Sequence, residues 1–212
     1  MAQQQEPTLT PSFDLFKPSV NAIKNNLLVY FVLAVLPGLV FSILLIRMGK
    51  DIRTDYLGIT AAMTLIGLLL YPPLLYTYLH TAQGKQVSLG QVFQESYKRF
   101  WPLIGTAFLT GLIIGVGFLL FIVPGIIFLR RYLLAPYYVL DRGLGISEAM
   151  AASADESKQY SGSVYGIMGL NILFVLIGII PILGQIAGTI LQILYSVAPA
   201  LRYLEFNDIF KS

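Results

Sequence analysis

Charged positions fall in clusters along this chain, and between them lie apolar runs of membrane-crossing length. Residues 27–46 carry no charge and match the roughly 20 residues that a hydrocarbon core requires. Residues 57–78 form a second run, with Pro72-Pro73 predicting a kink and Tyr71, Tyr76 and Tyr78 gathered near its end like an interfacial aromatic belt. Residues 100–129 are thirty uncharged positions in a row. A single straight helix of that length would run about 45 Å, well beyond a core of about 30 Å. Pro124-Gly125 offers a reversal, so the pattern predicts a span at 101–122, a tight turn and a return span at about 124–140. Residues 163–180 and 182–204 make a last pair, with Pro181 as a second charge-free turn. The expected architecture is therefore all-α integral membrane: about six transmembrane helices in three hairpins, forming one polytopic domain over 13–212.

Shorter stretches have the period of surface helices. Leu89, Val92, Phe93, Tyr97 and Phe100 share one face, and Ser88 with Gln91 three residues on fits a capping box. Ile146, Ala149, Met150 and Ser153 share a face within 145–158, with Ser147 as the expected N-cap. Phe13, Phe16, Val20 and Ile23 repeat at helical spacing before the first span, which suits either a membrane-surface helix or an ordinary helix end. Each pair of spans is thus expected to follow an amphipathic surface helix. Residues 1–12 read as a disordered polar tail; without Lys, Arg or an apolar core they do not form a cleaved signal peptide.

Composition and charge sharpen this. Of the 212 residues 56% are hydrophobic and only 12% charged, against about a quarter in a soluble domain. With six spans, eleven Lys and Arg residues lie on the side of the N-terminus and three (Arg47, Lys50, Arg53) on the other. Reading 101–140 as one kinked span gives nine against five. The positive-inside rule favours six spans with both termini cytoplasmic in a plasma membrane. There are no cysteines, which removes disulfides and thiolate chemistry.

An internal echo appears at an offset of 57. Leu89 falls on Ile146, Val92 on Ala149, Phe93 on Met150, Ser96 on Ser153, Gly105 on Gly162 and Pro124 on Pro181. A fainter copy begins at Leu15-Phe16. Each unit reads as surface helix, span, proline turn and return span.

The residues Pro124-Gly125-Ile126-Ile127, Arg131-Tyr132, Leu134-Ala135-Pro136-Tyr137, Val139-Leu140-Asp141, Glu148-Ala149 and Ser153 form a recognisable block. It resembles that of the uncharacterised YciC-like bacterial polytopic membrane proteins, and of the membrane domain appended to some glycerophosphodiester phosphodiesterases. The match covers about 120–157; the family's Gly after the Ser is displaced here to Gly162. The resemblance implies an all-α protein of the bacterial inner membrane and brings no agreed activity. The phosphodiesterase's catalytic part is a separate soluble domain with no counterpart in these residues.

Candidate chemistry centres on Arg130 and Arg131. On a regular arm they lie about 9 Å past the Pro-Gly turn, where a charge must be paired, solvated or snorkelled. They suit an anion or lipid-phosphate site, or a structural pairing with Asp141, Glu148 or a carbonyl. Neighbours on a helix point about 100° apart, so one can face the bundle and the other the headgroups. Arg131 holds the motif position. Pro124, Gly125, Pro136, Glu148, Ser153 and Pro181 read as structural members of the motif. Ser153 has no His/Asp partner in the sequence, since His80, the one histidine, lies in a different loop. No metal, cofactor or nucleic-acid site is expected. Gly111-x3-Gly115, Gly162-x3-Gly166 and Gly184-x3-Gly188 suit close helix packing. Together these features predict a non-catalytic membrane protein organising lipid, anionic headgroups included, or a membrane-protein partner. A small transporter component with an anion site at Arg130/Arg131 is the alternative, and a membrane-bound lipid enzyme the weakest reading.

Overall fold

The structure, a computed structural model, describes residues 9–48, 55–180 and 183–211; Pro181 lies outside them. Among the described residues there is no strand. Four helices are long and apolar enough to cross a membrane: Gly58–Ala82, Phe100–Leu120, Ser161–Gly178 and the run Leu183–Asp208. A fifth passage is available in the pair Phe16–Lys24 and Leu27–Val40, bent by 96°. Outward-facing apolar side chains concentrate in 36–44, 65–69, 108–123 and 172–190, with Leu119 87% exposed. Water does not tolerate apolar surface on that scale, whereas lipid does.

Helix α1 (Phe16–Lys24) ends in a sharp bend into α2 (Leu27–Tyr30), a π-helical turn (Phe31–Val35) and α3 (Leu36–Met48). The π turn precedes Pro37, which has no N–H for the Leu33 carbonyl; the wider turn absorbs that missing bond. Helix α4 (Asp55–Ala82) carries Pro72 and Pro73 in its interior. Pro73 leaves the Leu69 carbonyl without its helical donor, and the Tyr97 hydroxyl of α5 (Leu89–Tyr97) donates to it at 2.9 Å. Helix α5 starts as its sequence predicts, Ser88 Oγ accepting from the Gln91 N–H at 3.4 Å.

The run of thirty uncharged residues breaks at Phe121, whose backbone is fully extended, between α6 (Phe100–Leu120) and α7 (Ile122–Tyr132). The break thus comes three residues before the expected Pro-Gly reversal. Pro124 and Gly125 sit in the first turn of α7, where a proline's missing N–H has no helical acceptor to serve. Gly125 lets α6 and α7 approach: a Cβ on Gly117 would come within 3.0 Å of the Gly125 Cα.

The expected single return arm at 124–140 is two helices. Pro136 has no N–H for the Tyr132 carbonyl, so α7 stops there and α8 (Ala135–Arg142) restarts with Pro136 in its first turn. Ala135–Leu140 is buried throughout and lies at the centre of the core, with Tyr30, Leu79, Val92, Leu103, Tyr203 and Phe206 around it. Gly143, at φ +69°, ends α8 in a left-handed conformation that favours glycine.

Helix α9 (Ile146–Gln159) is amphipathic as expected, but Gly145 rather than Ser147 is its N-cap. The Glu148 carboxylate accepts from the Gly145 N–H at 3.1 Å. Helices α10 (Ser161–Gly178) and α11 (Leu183–Tyr195) pack against each other, with Gly184 against the Ile177 carbonyl and Gly188 against Phe174 and Gly178. That glycine pair serves internal packing; Gly111 and Gly115 face open space. Helix α12 (Ala198–Lys211) closes the fold. The order α5, α6, α7 recurs as α9, α10, α11, in step with the offset of 57.

Residues 1–8 of the expected polar tail lie outside the described residues, and the segment that follows them is held down. Tyr195 donates to the Ser12 carbonyl at 2.6 Å, Ser12 Oγ to the Ser163 carbonyl at 3.1 Å, and Ser19 Oγ to the Leu194 carbonyl at 2.7 Å.

Tyr97→Phe tests the proline repair in α4. It should cost about 1 kcal/mol, lowering the thermal unfolding midpoint of the purified protein in micelles; an unchanged midpoint would show that the Leu69 carbonyl does not need the hydroxyl.

Candidate functional site

Arg130 and Arg131 leave α7 in different directions, and their surroundings differ sharply. Arg130 is 9% exposed. Its guanidinium donates to the Ser157 carbonyl of α9 at 2.9 Å and lies over the Tyr165 ring at 5.6 Å. Of the structural pairings open to it, it takes the carbonyl. Arg131 is half-buried, and its side chain makes no hydrogen bond or ion pair with a described residue. Its own carbonyl accepts from Ser153 Oγ at 2.7 Å, fixing α9 across α7. Ser153 is therefore a fully buried link between helices.

The Arg131 side chain lines an open groove of about 380 Å³ between α6, α7 and α9. Leu109, Met150, Ala151 and Ala154 form its apolar wall. Arg131, Ser147 and Asp155 form its polar rim, and none of their three side chains bonds to the described protein. The groove thus offers a cation, a hydroxyl and an anion above a hydrocarbon-like surface.

Asp141 belongs elsewhere. It is bonded to neither arginine, and accepts from the Tyr203 hydroxyl of α12 at 2.7 Å. Beside it Arg142 reaches Asn207 at 2.8 Å and Glu156 at 3.5 Å and covers the Tyr138 ring, while Tyr138 donates to Glu156. The end of α8 is therefore tied to α9 and α12 at once.

Asp141 also lines a second, more polar cavity of about 640 Å³ with Tyr76, His80, Gln91, Glu95, Lys98 and Arg99. The fold brings His80, Asp141 and Glu95 to one cavity from three segments, which the separate loops of the sequence did not reveal. His80 stacks on Tyr76 with ring centroids 3.8 Å apart, and Lys98 pairs with Glu95 at 2.7 Å. Arg99 donates to the Val139 carbonyl at 3.3 Å and packs against Gly143. Among the described residues no three His, Cys, Asp or Glu side chains are grouped to hold a metal.

Sequence reasoning also missed Arg202. It is fully buried in α12, donates to Glu205 at 2.6 Å and to the Thr10 carbonyl at 2.7 Å, and so clamps the N-terminal segment. The i, i+3 spacing of Arg202 and Glu205 was the available signal; the Thr10 carbonyl, at the far end of the chain, gave none.

Compared with known proteins, the chain matches no family model, no curated protein and no solved structure.

Arg202→Ala strands the Glu205 carboxylate and the Thr10 carbonyl. Because Glu205 keeps some exposure, the expected loss is about 2–3 kcal/mol, below that for a fully buried pair. Limited proteolysis should then cut within 9–15 much faster than in wild type; an unchanged cleavage rate would show that the clamp holds nothing.

Proposed function

We propose that this is a non-catalytic membrane protein that organises phospholipid by seating a headgroup at the Arg131 groove. The observation that carries this is the contrast between adjacent arginines: Arg130 is taken up by the Ser157 carbonyl and Tyr165, while Arg131 faces a groove with no protein partner. An unpaired guanidinium at a membrane boundary favours phosphate, which it can hold by two parallel hydrogen bonds. Asp155 on the same rim is a counter-charge for an amine, so the groove suits a phosphoethanolamine headgroup as well as an anionic one. The apolar wall of Leu109, Met150 and Ala154 then takes the upper acyl chain.

In this reading three helical hairpins enter the bilayer from the side that carries both termini, six arms in all. The charge split of eleven to three and the repeated element order support that arrangement. The YciC-like resemblance over 120–157 supports a bacterial inner-membrane protein. Its motif residues act as fold-makers here: Pro136 starts α8, Glu148 caps α9, and Ser153 ties α9 to α7. A second reading, a small transporter component, has one observation in its favour, the polar cavity that gathers His80, Glu95, Lys98, Arg99 and Asp141.

Arg131→Gln should leave folding intact and reduce, several-fold, the phospholipid that stays bound through native mass spectrometry. Arg131→Lys should keep part of it, and Asp155→Asn should shift the bound population from phosphatidylethanolamine towards phosphatidylglycerol. Retention of the same lipids by all three variants would set the headgroup site aside.

A further inference from the structure

We propose that the α6–α7 pair does not cross the bilayer but ends at its midplane, a wedge in the single leaflet that α9 covers, packed by lipid acyl chains. The proposal rests on the membrane reading of the chain and not on a headgroup being bound at Arg131.

The turn itself is the first observation. Leu119, Leu120, Phe121, Ile122 and Val123 are 63–87% exposed, and residues 111–129 contain no polar side chain. A turn that emerged into water would present five large apolar side chains there. By contrast, the sequence from 47 to 55 carries Arg47, Lys50, Asp51, Arg53 and Asp55.

Depth is the second. Helix α9 carries Glu148, Asp155, Glu156 and Lys158, so it lies at the headgroup level. It touches both arms: the Ile146 side chain reaches Gly105, Leu109 shares the groove with Asp155, and Ser153 bonds to the Arg131 carbonyl. From Leu109 along α6 to Leu120 is about 16 Å, and from Arg131 back along α7 to Phe121 is about 15 Å, at 1.5 Å per residue. Two separate arms give the same depth, half of a hydrocarbon core of about 30 Å. Helix α6 is long enough to span, but its first third lies alongside α9 rather than in the hydrocarbon.

The backbone is the third. Inside hydrocarbon a turn gains from every backbone group it pairs within itself, and here Phe121 is paired on both sides. Phe121 N–H donates to the Gly117 carbonyl at 3.0 Å, and the Phe121 carbonyl accepts from Gly125 N–H at 3.3 Å. Pro124, in the first turn of α7, has no N–H to leave bare. An element that adds volume to one leaflet only spreads that leaflet, so the wedge gives the protein a means of bending or sensing the curvature of its membrane.

The absence of native cysteine makes the test direct. Leu119→Cys, Phe121→Cys and Val123→Cys are reconstituted singly in phospholipid vesicles, with Asp51→Cys and Lys158→Cys as controls for the two faces. Each is offered a membrane-impermeant maleimide from outside and inside, then spin-labelled for collision with oxygen and with a water-soluble nickel chelate. The wedge predicts loss of maleimide labelling at all three tip positions from both faces, with oxygen collisions at their maximum and nickel collisions absent, while both controls react. Labelling of Phe121→Cys from the Asp51 face would show a full crossing and overturn the proposal. Labelling from the Lys158 face would show that the tip is not inserted, and tip labels shielded from oxygen would show a protein partner in place of lipid; either result overturns it as well.

Discussion

A guanidinium cannot be left bare in hydrocarbon, and α7 carries two of them side by side. The cost at the bilayer centre is about 2.5–3.5 kcal/mol by insertion scales, a large part of the stability of a domain this size. Arg130 avoids it by reaching the Ser157 carbonyl, and Arg131 by opening onto the groove beside α9. Helix α9 must therefore lie over α7 at that level, and Ser153 locks it there. The buried, tyrosine-rich α8 follows directly, tied on to α12 by Asp141 and Arg142.

Proline is the recurrent complication, and the chain answers it in several ways. A π turn absorbs Pro37, a distant hydroxyl serves the carbonyl that Pro73 orphans, and Pro124 occupies a helix start where its N–H would be idle. Pro136 and Pro199 each stand where one helix stops and the next begins, and the break at Pro136 turns α8 away from α7 into the core. In lipid each such compensation matters more than in water, because water is not at hand to take over a lost bond.

Local patterns were legible in the sequence wherever cause and effect lie within a turn of each other. The Ser88 cap, the stripe of α5 and the amphipathic face of α9 are of that kind. The turn before α7 was displaced because an apolar run with one proline does not say whether the proline ends a helix or begins one. The chain carries no charge between 100 and 129 to mark a break, and the break of the return arm at Pro136 follows only from the Tyr132 carbonyl that its ring nitrogen cannot serve. Of the residues singled out as a site, Arg131 faces a groove without a protein partner, Arg130 is bonded inside the protein, and Asp141, bonded to Tyr203, lines the other cavity. The cavity around His80 and the Arg202 clamp were invisible because their parts come from segments far apart in sequence and meet only in the fold.

The claim that organises the account is that α9 and the two arginines mark the membrane boundary on both α6 and α7. The native chain carries its own probe of that boundary, since Trp101 is the one tryptophan and is 78% exposed near the start of α6. It lies eight residues before Leu109, about 12 Å above the hydrocarbon if the boundary is right. Quenching of its fluorescence in reconstituted vesicles by aqueous iodide and by phospholipids brominated along their acyl chains measures this directly. The account predicts strong quenching by iodide and none by the brominated chains; strong quenching by the brominated chains with protection from iodide would contradict it.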